Sequence, residues 1–256
     1  EVRKLYGKAT AIGARRTQFA DATEIEEIPY EAMIDREPIT VICSKMGWIR
    51  AMKGHVDLAA EQKFKDGDGP RFAFHAETTD KILLVADNGR FFTLLGANLP
   101  GGRGMGEPVR LMVDLPNDTG ITDLLIFRPG EKFLVASSAG DGFIVPAEEL
   151  VAQTKAGKAV LTVRDGTKTA VCTVVRGDTI AVVGDNRKML VFPVAELPEM
   201  AKGKGVRLQK YKDGGLSDAI TFTRAEGLSW KDPAGRTRTE TDLTEWTGAR
   251  ASAGKM

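Results

Sequence analysis

Glycine-rich loops that carry lysine or arginine recur along this sequence, and they are the residues best suited to bind a charged ligand. The clearest is Lys202-Gly-Lys-Gly205; others read Gly101-Gly-Arg-Gly-Met-Gly106, Lys155-Ala-Gly-Lys158 and, more faintly, Thr247-Gly-Ala-Arg250. Glycine lets a backbone approach a ligand closely. Repeated cations can neutralise phosphates without reading bases, which predicts salt-sensitive binding with little sequence preference. A solvated surface would explain any one loop, but their repetition favours a binding role.

The same loops differ from nucleotide-binding motifs. Gly102-Arg-Gly-Met-Gly106 superficially resembles the start of a dinucleotide fingerprint, but the residues after it are strand-like rather than helical. In Lys202–Gly205 neither lysine is followed by Ser or Thr, as a Walker loop requires. Neither nucleotide site is therefore expected.

Catalytic chemistry is not indicated either. His55 and His75 lie in different contexts, and no nucleophile is paired with a base. Cys43 and Cys172 lie in strand-like runs, where cysteine acts as a small hydrophobe, and two distant cysteines make no zinc spacing. We expect no catalytic residue, no metal and no cofactor, and a reducing cytoplasmic setting.

Composition is that of a globular protein, with 42% apolar and 28% charged residues among 256. No apolar run is long enough to span a bilayer, so no membrane partner is expected. Net charge is only +1, but the stretch 21–37 holds seven acidic residues and one arginine, whereas 179–212 holds seven basic and three acidic residues. The start at Glu1 predicts a fragment of a longer protein.

The elements that must position the loops follow a repeat. Hairpin turns anchored at Gly47, Gly89, Gly140, Asn186 and Gly235 are spaced by 42, 51, 46 and 49 residues. Such a period is typical of a radial β array. In each period two apolar strands flank the turn, a glycine-rich basic loop comes later, and two further strands follow. The strands after the loops are predicted at 109–113, 160–163 and 206–208. Four strands per unit predict propeller-type blades.

The repeats set the predicted domain limits. Residues 1–20 are predicted to be a basic helical extension from a preceding domain. Residues 21–256 are predicted to be one all-β domain of five blades, in which 21–37 forms a short strand or a linker.

Several motifs resemble a known family in both order and spacing. They are Met46–Gly54, Gly101–Pro108, Ala139–Phe143, Ala156–Ala159 and Phe192–Pro198 followed by Lys202–Gly205. Together they are similar to the C-terminal domain of the DNA topoisomerase IV A subunit, a sibling of the C-terminal domain of the gyrase A subunit. The resemblance runs from about residue 39 to 205 and fades beyond 215.

The resemblance implies a β-pinwheel, a five-bladed disc of four-stranded sheets that exchange strands between neighbours. It also implies that a basic outer rim binds and bends duplex DNA and presents the transported duplex for ATP-dependent decatenation and relaxation. The cleavage tyrosine would belong to an N-terminal core, and the ATPase to the topoisomerase IV B protein. The implied partners are DNA, that B protein and a second copy of the A protein, in the nucleoid-associated cytoplasm.

Two alternative functions have their own sequence signatures. A gyrase A wrapping domain would carry a Q-R-R-G-G-K-G box, but the corresponding segment, about 58–69, lacks it and holds three acids. A protein-binding propeller would show a recurring signature such as Trp-Asp, which is not seen.

The candidate DNA contacts are the cations in and beside the repeated turns and loops, whereas the aromatic residues of the strands, including Trp48, Phe91, Phe92, Phe143 and Phe192, are assigned to the core. The candidate contacts are Arg50, Lys53, Arg90, Arg103, Lys155, Lys158, Arg187, Lys188, Lys202, Lys204 and Arg207.

Overall fold

A computed structural model describes residues 1–14 and 33–256, and the chain divides into two compact units, 1–34 and 35–256. The described part of the first unit contains one short helix, α1 (Val2–Tyr6), with no buried residue. Most of the acidic stretch 21–37, and the boundary predicted after residue 20, lie outside the described residues. The first strand of the second unit begins at Pro38.

The second unit is built almost entirely of strands, as the sequence predicts. The first two sheets use β1 (Pro38–Ser44), β2 (Trp48–Lys53), β3 (Pro70–Glu77), β4 (Lys81–Ala86), β5 (Arg90–Leu95), β6 (Glu107–Pro108), β7 (Ile121–Ile126) and, from further along the chain, β10 (Lys158–Ala159). The others use β8 (Lys132–Ser137), β9 (Asp141–Pro146), β11 (Thr169–Val174), β12 (Thr179–Gly184), β13 (Met189–Pro193), β14 (Val206–Arg207), β15 (Leu216–Phe222), β16 (Leu228–Lys231) and β17 (Thr237–Glu240). One helical turn, α2 (Ala147–Leu150), follows β9.

Neighbouring sheets exchange strands in a regular way. The strand orders are β3-β1-β2-β6, β10-β5-β4-β7, β11-β8-β9-β14, β13-β12-β15 and β16-β17, which we call blades 1 to 5. In blades 1 to 3 a hairpin pairs with a third strand, and a short fourth strand returns only after the next blade's hairpin has formed. In blade 4 an isolated bridge between Met189 and Lys255 takes the place of that fourth strand. The described part of blade 5 is a hairpin alone.

The core lies between blades because successive residues of a strand point to opposite faces. Ile82 and Leu84 of β4 belong to the cluster shared with blade 1, whereas Leu83 and Val85 belong to the cluster shared with blade 3. Similar clusters join blade 3 to blade 4 and blade 4 to blade 5. The third strands β3, β7, β11 and β15 contact one another in succession, so they form the inner edge of the blades. The aromatic residues Phe91, Phe92, Phe143 and Phe192 are fully buried, which confirms their assignment to the core.

The predicted turns are correct except in blade 4. Gly47, Gly89 and Gly140 have φ of 79°, 81° and 82°, the left-handed region in which glycine is favoured. In blade 4 the equivalent residue is Arg187, with φ of 62°, and not Asn186. Asn186 instead accepts a hydrogen bond from the Lys188 N–H through its side chain at 3.1 Å, so it closes the turn without adopting positive φ.

Two of the strands predicted after the basic loops are wrong in position. The residues at 109–111 form a 3-10 turn, because the Val109 N–H donates to Gly47 O and the Met112 N–H to Val109 O. The strand precedes this turn, at β6. Likewise β10 ends at Ala159, because the N–H groups of Val160 and Leu161 both donate to Gly89 O. The third, β14, lies where it was predicted.

Candidate nucleic-acid interface

The basic glycine loops begin at equivalent places on successive blades. The N–H groups of Ala51, Ile144 and Val191 donate to the carbonyls that precede each loop, Pro100 (2.8 Å), Pro198 (3.0 Å) and Trp246 (2.9 Å). In blade 2 the polarity differs, since the Ala152 N–H donates to the Thr93 hydroxyl at 2.8 Å. All four loops therefore lie on the second strand of a hairpin, at the edge opposite the inner strands. We call this the outer edge.

In blades 1 to 3 the loop then closes by pairing with the same strand. β6 pairs with Trp48–Ile49, β10 with Arg90–Phe91 and β14 with Asp141–Gly142. Each loop thus runs along the outer edge of one blade, from the middle of the second hairpin strand to its first residues. Cations that are far apart in sequence are thereby placed on the corresponding edges of three successive blades.

In blade 1 the predicted contact Arg50 is not available to a ligand. Its side chain is buried, with 4% of the residue exposed, and lies 5.6 Å from the Phe64 ring. Nη1 donates to the carbonyls of Lys63 and Gly104, both at 3.0 Å, and Nη2 to the Gln62 side-chain oxygen at 3.3 Å. Arg50 therefore fastens the 101–106 loop and the segment after β2 to the blade, and its bonded donors face the protein rather than the solvent.

In blade 2 Arg90 has a similar task. Its Nη2 donates to Ala156 O at 2.6 Å and Gly157 O at 3.2 Å, and Nε donates to Ala156 O at 3.2 Å. The guanidinium is occupied by backbone oxygens of the loop. Lys155, next to them, is exposed and has no side-chain partner in the described part of the chain.

In blade 3 two predicted contacts are bound to a buried carboxylate. Asp141 is 2% exposed, and its oxygens lie 3.3 Å from Lys204 Nζ and 3.0 Å from Arg207 Nε. Nη1 of Arg207 also donates to Ala139 O. Lys202, at the start of the loop, is exposed and unpaired among the residues that the structure covers.

The remaining predicted contacts differ in exposure and in whether their side chains have a partner. Arg103 and Arg187 are exposed and make no side-chain bond to any described residue, and Lys188 is half-buried. Lys158 pairs with Glu149 at 2.7 Å. Lys53 is highly exposed and only loosely paired with Glu37, at 3.5 Å.

The surroundings of Trp48 and Arg50 differ from the prediction. Trp48 is half-buried rather than core, and Lys65 lies over its ring with Nζ 3.3 Å from the centroid. Lys63 was not proposed as a contact, yet its backbone is fastened to the Gly104 loop through Arg50. The packing of Trp48 and Arg50 against the segment after β2 has no signal in the sequence.

The histidines and cysteines are not arranged for catalysis in the part of the chain that the structure describes. His55 and His75 stack at 4.5 Å between ring centroids, and their Nε2 atoms lie 3.1 Å from Ala76 O and 2.6 Å from Val56 O. Burial raises the pKa of the Cys43 thiol to about 12 and the pKa of Cys172 well above its ordinary value, so neither is a ready thiolate.

Metal-binding clusters and membrane-spanning helices are both absent from the described ranges. Residues 1–14 and 33–256 contain no group of three or more His, Cys, Asp or Glu that could hold a metal ion. Nor does any helix there have the length and hydrophobicity needed to cross a membrane.

Comparison with known proteins gives the family. A family model described as the DNA gyrase C-terminal domain, a beta-propeller, matches residues 131–166 and 178–221. The A subunit of DNA topoisomerase 4 from Rickettsia bellii is 45% identical over 256 residues, which cover 100% of this chain and 34% of that protein. The Caulobacter vibrioides protein of the same name is 49% identical over 243 residues, 94% of this chain and 32% of that protein.

The chain is homologous to the C-terminal domain of the DNA topoisomerase IV A subunit. The solved Escherichia coli ParC C-terminal domain superposes with a TM-score of 0.76 at 29% identity, covering 86% of this chain and 94% of that one. A gyrase A C-terminal domain superposes with a TM-score of 0.62 at 15% identity, covering 85% and 76% of the two chains, and supports the fold alone. The β-pinwheel prediction and the topoisomerase IV resemblance are confirmed. The chain spans about a third of the length of the curated relatives that it matches.

Proposed function

We propose that residues 35–256 bind duplex DNA along the outer edge of the blades, as the non-catalytic DNA-binding and DNA-bending domain of a topoisomerase IV A subunit. One observation carries this proposal. Three exposed cations that have no side-chain partner among the described residues, Arg103, Lys155 and Lys202, lie on equivalent loops of three successive blades.

The loops also offer backbone donors. The N–H groups from Arg103 to Gly106 have no acceptor among the described residues. Phosphate oxygens accept hydrogen bonds from backbone N–H groups as well as from cations. A duplex that follows this edge across several blades must bend, at a cost of about 1–6 kcal/mol that the added contacts offset.

Within the whole enzyme this edge would present the transported duplex to a cleavage core for ATP-dependent decatenation and relaxation. That activity needs the remainder of the A protein, a second copy of it and the ATPase-bearing B protein, in the bacterial cytoplasm at the nucleoid. This domain itself would use no cofactor and turn over no substrate. A gyrase-type wrapping role is disfavoured by the acids of the 58–69 segment, and a protein-interaction module by the repeated free cations.

The test is a salt titration of binding to a nonspecific duplex. The triple variant Arg103→Ala, Lys155→Ala, Lys202→Ala is compared with the parent chain by fluorescence anisotropy. We expect affinity in about 50 mM salt to fall by roughly tenfold or more, and the slope of log K against log salt to decrease by about 0.9 for each phosphate that is no longer neutralised.

The control keeps the same change in charge. Lys4→Ala, Lys8→Ala, Lys231→Ala removes three exposed lysines that lie outside the loops. It should leave the slope close to that of the parent chain. Equal reductions in affinity in both triple variants would reject the outer edge as the DNA site, and an unchanged slope in the first would reject DNA binding by these loops.

A further inference from the structure

The two buried or occupied arginines of the outer edge have a common geometry. Arg50 donates to Gly104 O, and the exposed cation of that loop is the preceding residue, Arg103. Arg90 donates to Ala156 O, and the exposed cation there is again the preceding residue, Lys155. In both blades an arginine on the second hairpin strand donates a hydrogen bond to the carbonyl of the residue that follows the exposed cation in sequence.

We propose that Arg50 and Arg90 are positioning residues, which hold Arg103 and Lys155 in the orientation that a DNA phosphate requires. This inference rests on the proposed DNA binding and reassigns two residues that the sequence suggests as direct contacts. Their own charges face backbone oxygens, so the positive charges that remain for phosphate are those of their neighbours.

The physical basis is the flexibility of the loops. The 101–106 loop contains four glycines, Gly101, Gly102, Gly104 and Gly106. Glycine has the largest conformational freedom to lose when a chain is ordered. A loop already fixed in the free protein loses less freedom when it binds DNA, and so it binds more tightly.

Arginine is the residue that this task needs. Its planar guanidinium offers five N–H donors in a fixed fork, whereas lysine offers one compact ammonium. Arg50 uses the fork to reach carbonyls of two separate segments, at Lys63 and Gly104. Arg90 uses three hydrogen bonds to hold two adjacent carbonyls, of Ala156 and Gly157.

A double-mutant cycle tests the idea at blade 2, where Arg90 is only half-buried, so we expect the fold to tolerate its replacement. Arg90→Met, Lys155→Ala and the double variant are titrated with nonspecific duplex. Arg90→Met should weaken binding roughly three- to tenfold in the parent background and have almost no effect in the Lys155→Ala background, since its role is exercised through Lys155. Its effect on the melting temperature should be the same in both backgrounds.

Two further variants separate positioning from direct contact. Arg164→Met, at an exposed arginine with no side-chain partner among described residues, removes the same charge and should change affinity less than Arg90→Met. Arg90→Lys keeps the charge without the fork and should not restore binding. Full restoration by lysine, or equal effects of Arg90→Met with and without Lys155, would overturn the inference and make Arg90 a direct contact. If Lys155→Ala alone is silent, the inference falls at this blade, while the proposed function still depends on the triple variant.

Blade 1 supplies the second cycle, between Arg50→Met and Arg103→Ala. Circular dichroism first shows whether Arg50→Met is folded, because its replacement leaves three acceptors without their donor. A folded variant should again show an affinity loss that disappears in the Arg103→Ala background. An unfolded variant makes the blade 2 cycle decisive.

Discussion

Blades 2 and 3 fasten equivalent loops with side chains of opposite charge. Arg90 and Asp141 each follow the turn glycine of their hairpin, Gly89 and Gly140, and each reaches the loop that crosses its own outer edge. Arg90 binds loop carbonyls, whereas Asp141 binds loop cations. The same backbone position therefore decides how many of the loop's positive charges remain for a ligand.

This difference in charge at one position separates the basic residues of the loops into those that pair with a buried carboxylate and those that do not. In blade 3 Lys204 and Arg207 neutralise a carboxylate that would be costly to bury alone. In blade 2 the equivalent residue is the cation Arg90, which binds carbonyls and therefore needs no positive charge from the loop as a partner. Lys155 is exposed and unpaired among the described residues, and Lys158 pairs with the half-exposed Glu149. The cations of a basic loop can therefore be bound to a buried carboxylate, as Lys204 and Arg207 are, or remain exposed and unpaired among the described residues, as Lys155 does.

The largest effect is expected on stability, when the ion pairs of Asp141 with Lys204 and Arg207 in blade 3 are disrupted. Arg207→Met leaves the buried Asp141 with Lys204 as its one remaining cation among the described residues. Removal of one partner from a fully buried ion pair costs about 3–5 kcal/mol, and the remaining lysine, together with the partial exposure of the Arg207 side chain, reduces the expected loss to about 2 kcal/mol. Urea denaturation measures the free energy of unfolding.

The control for Arg207→Met is Lys202→Met in the same loop. It should change the free energy of unfolding by less than about 0.5 kcal/mol because Lys202 is exposed. A loss below about 1 kcal/mol for Arg207→Met would show that the ion pair with Asp141 does not stabilise the fold. Comparable losses for both variants would contradict the division of the loop into locked and free cations.

The next effect is expected when blade 2 is given the blade 3 arrangement. Arg90→Asp removes the grip on Ala156 O and places a carboxylate beside Lys155 and Lys158. We expect DNA affinity to fall roughly tenfold, about 1.4 kcal/mol, because the loop loses its support and its free charge is partly neutralised. Anisotropy with nonspecific duplex at two salt concentrations measures this. Arg90→Asn removes the grip without the new charge, so its loss should be smaller; an equal loss would mean that the charge of the anchor is irrelevant.

Much of the blade architecture could be predicted from the sequence. Apolar runs such as 82–85 and 133–136 flank turns in which glycine is needed at positive φ, so strands, turns and their period follow from local chemistry. The exchange of strands came only from the family resemblance, because β6 pairs with β2 across a whole intervening hairpin and its two residues carry no periodic signal.

The candidate site was less predictable because sequence shows the type of a residue and not its depth. Arg50 lies opposite Ile42 in the β1–β2 pair, and the segment after β2 covers it. Lys204 and Arg207 are evident in the sequence as basic residues in and beside their loop. Their partner Asp141 is distant in sequence, because it lies on the β8–β9 hairpin and the whole β12–β13 hairpin comes between. The loop cations at positions 103, 155 and 202 were predicted as contacts, and the structure leaves them exposed; their role remains a prediction.

The smallest effect in the comparison is expected from Asp141→Asn. The amide keeps the size of the side chain and an oxygen that can accept from Arg207, but it no longer neutralises Lys204. Blade 3 would then present more positive charge at the outer edge, as blade 2 does, and we expect tighter binding of nonspecific duplex by about threefold at low salt, with a steeper salt dependence. Asp213→Asn, at an exposed carboxylate outside the 202–207 loop, removes an equal charge and should have less effect. Weaker binding by Asp141→Asn would mean that the ion pairs of Asp141 with Lys204 and Arg207 order the loop for DNA. Blades 2 and 3 would then both use the residue after the turn glycine to hold their loop in place for binding.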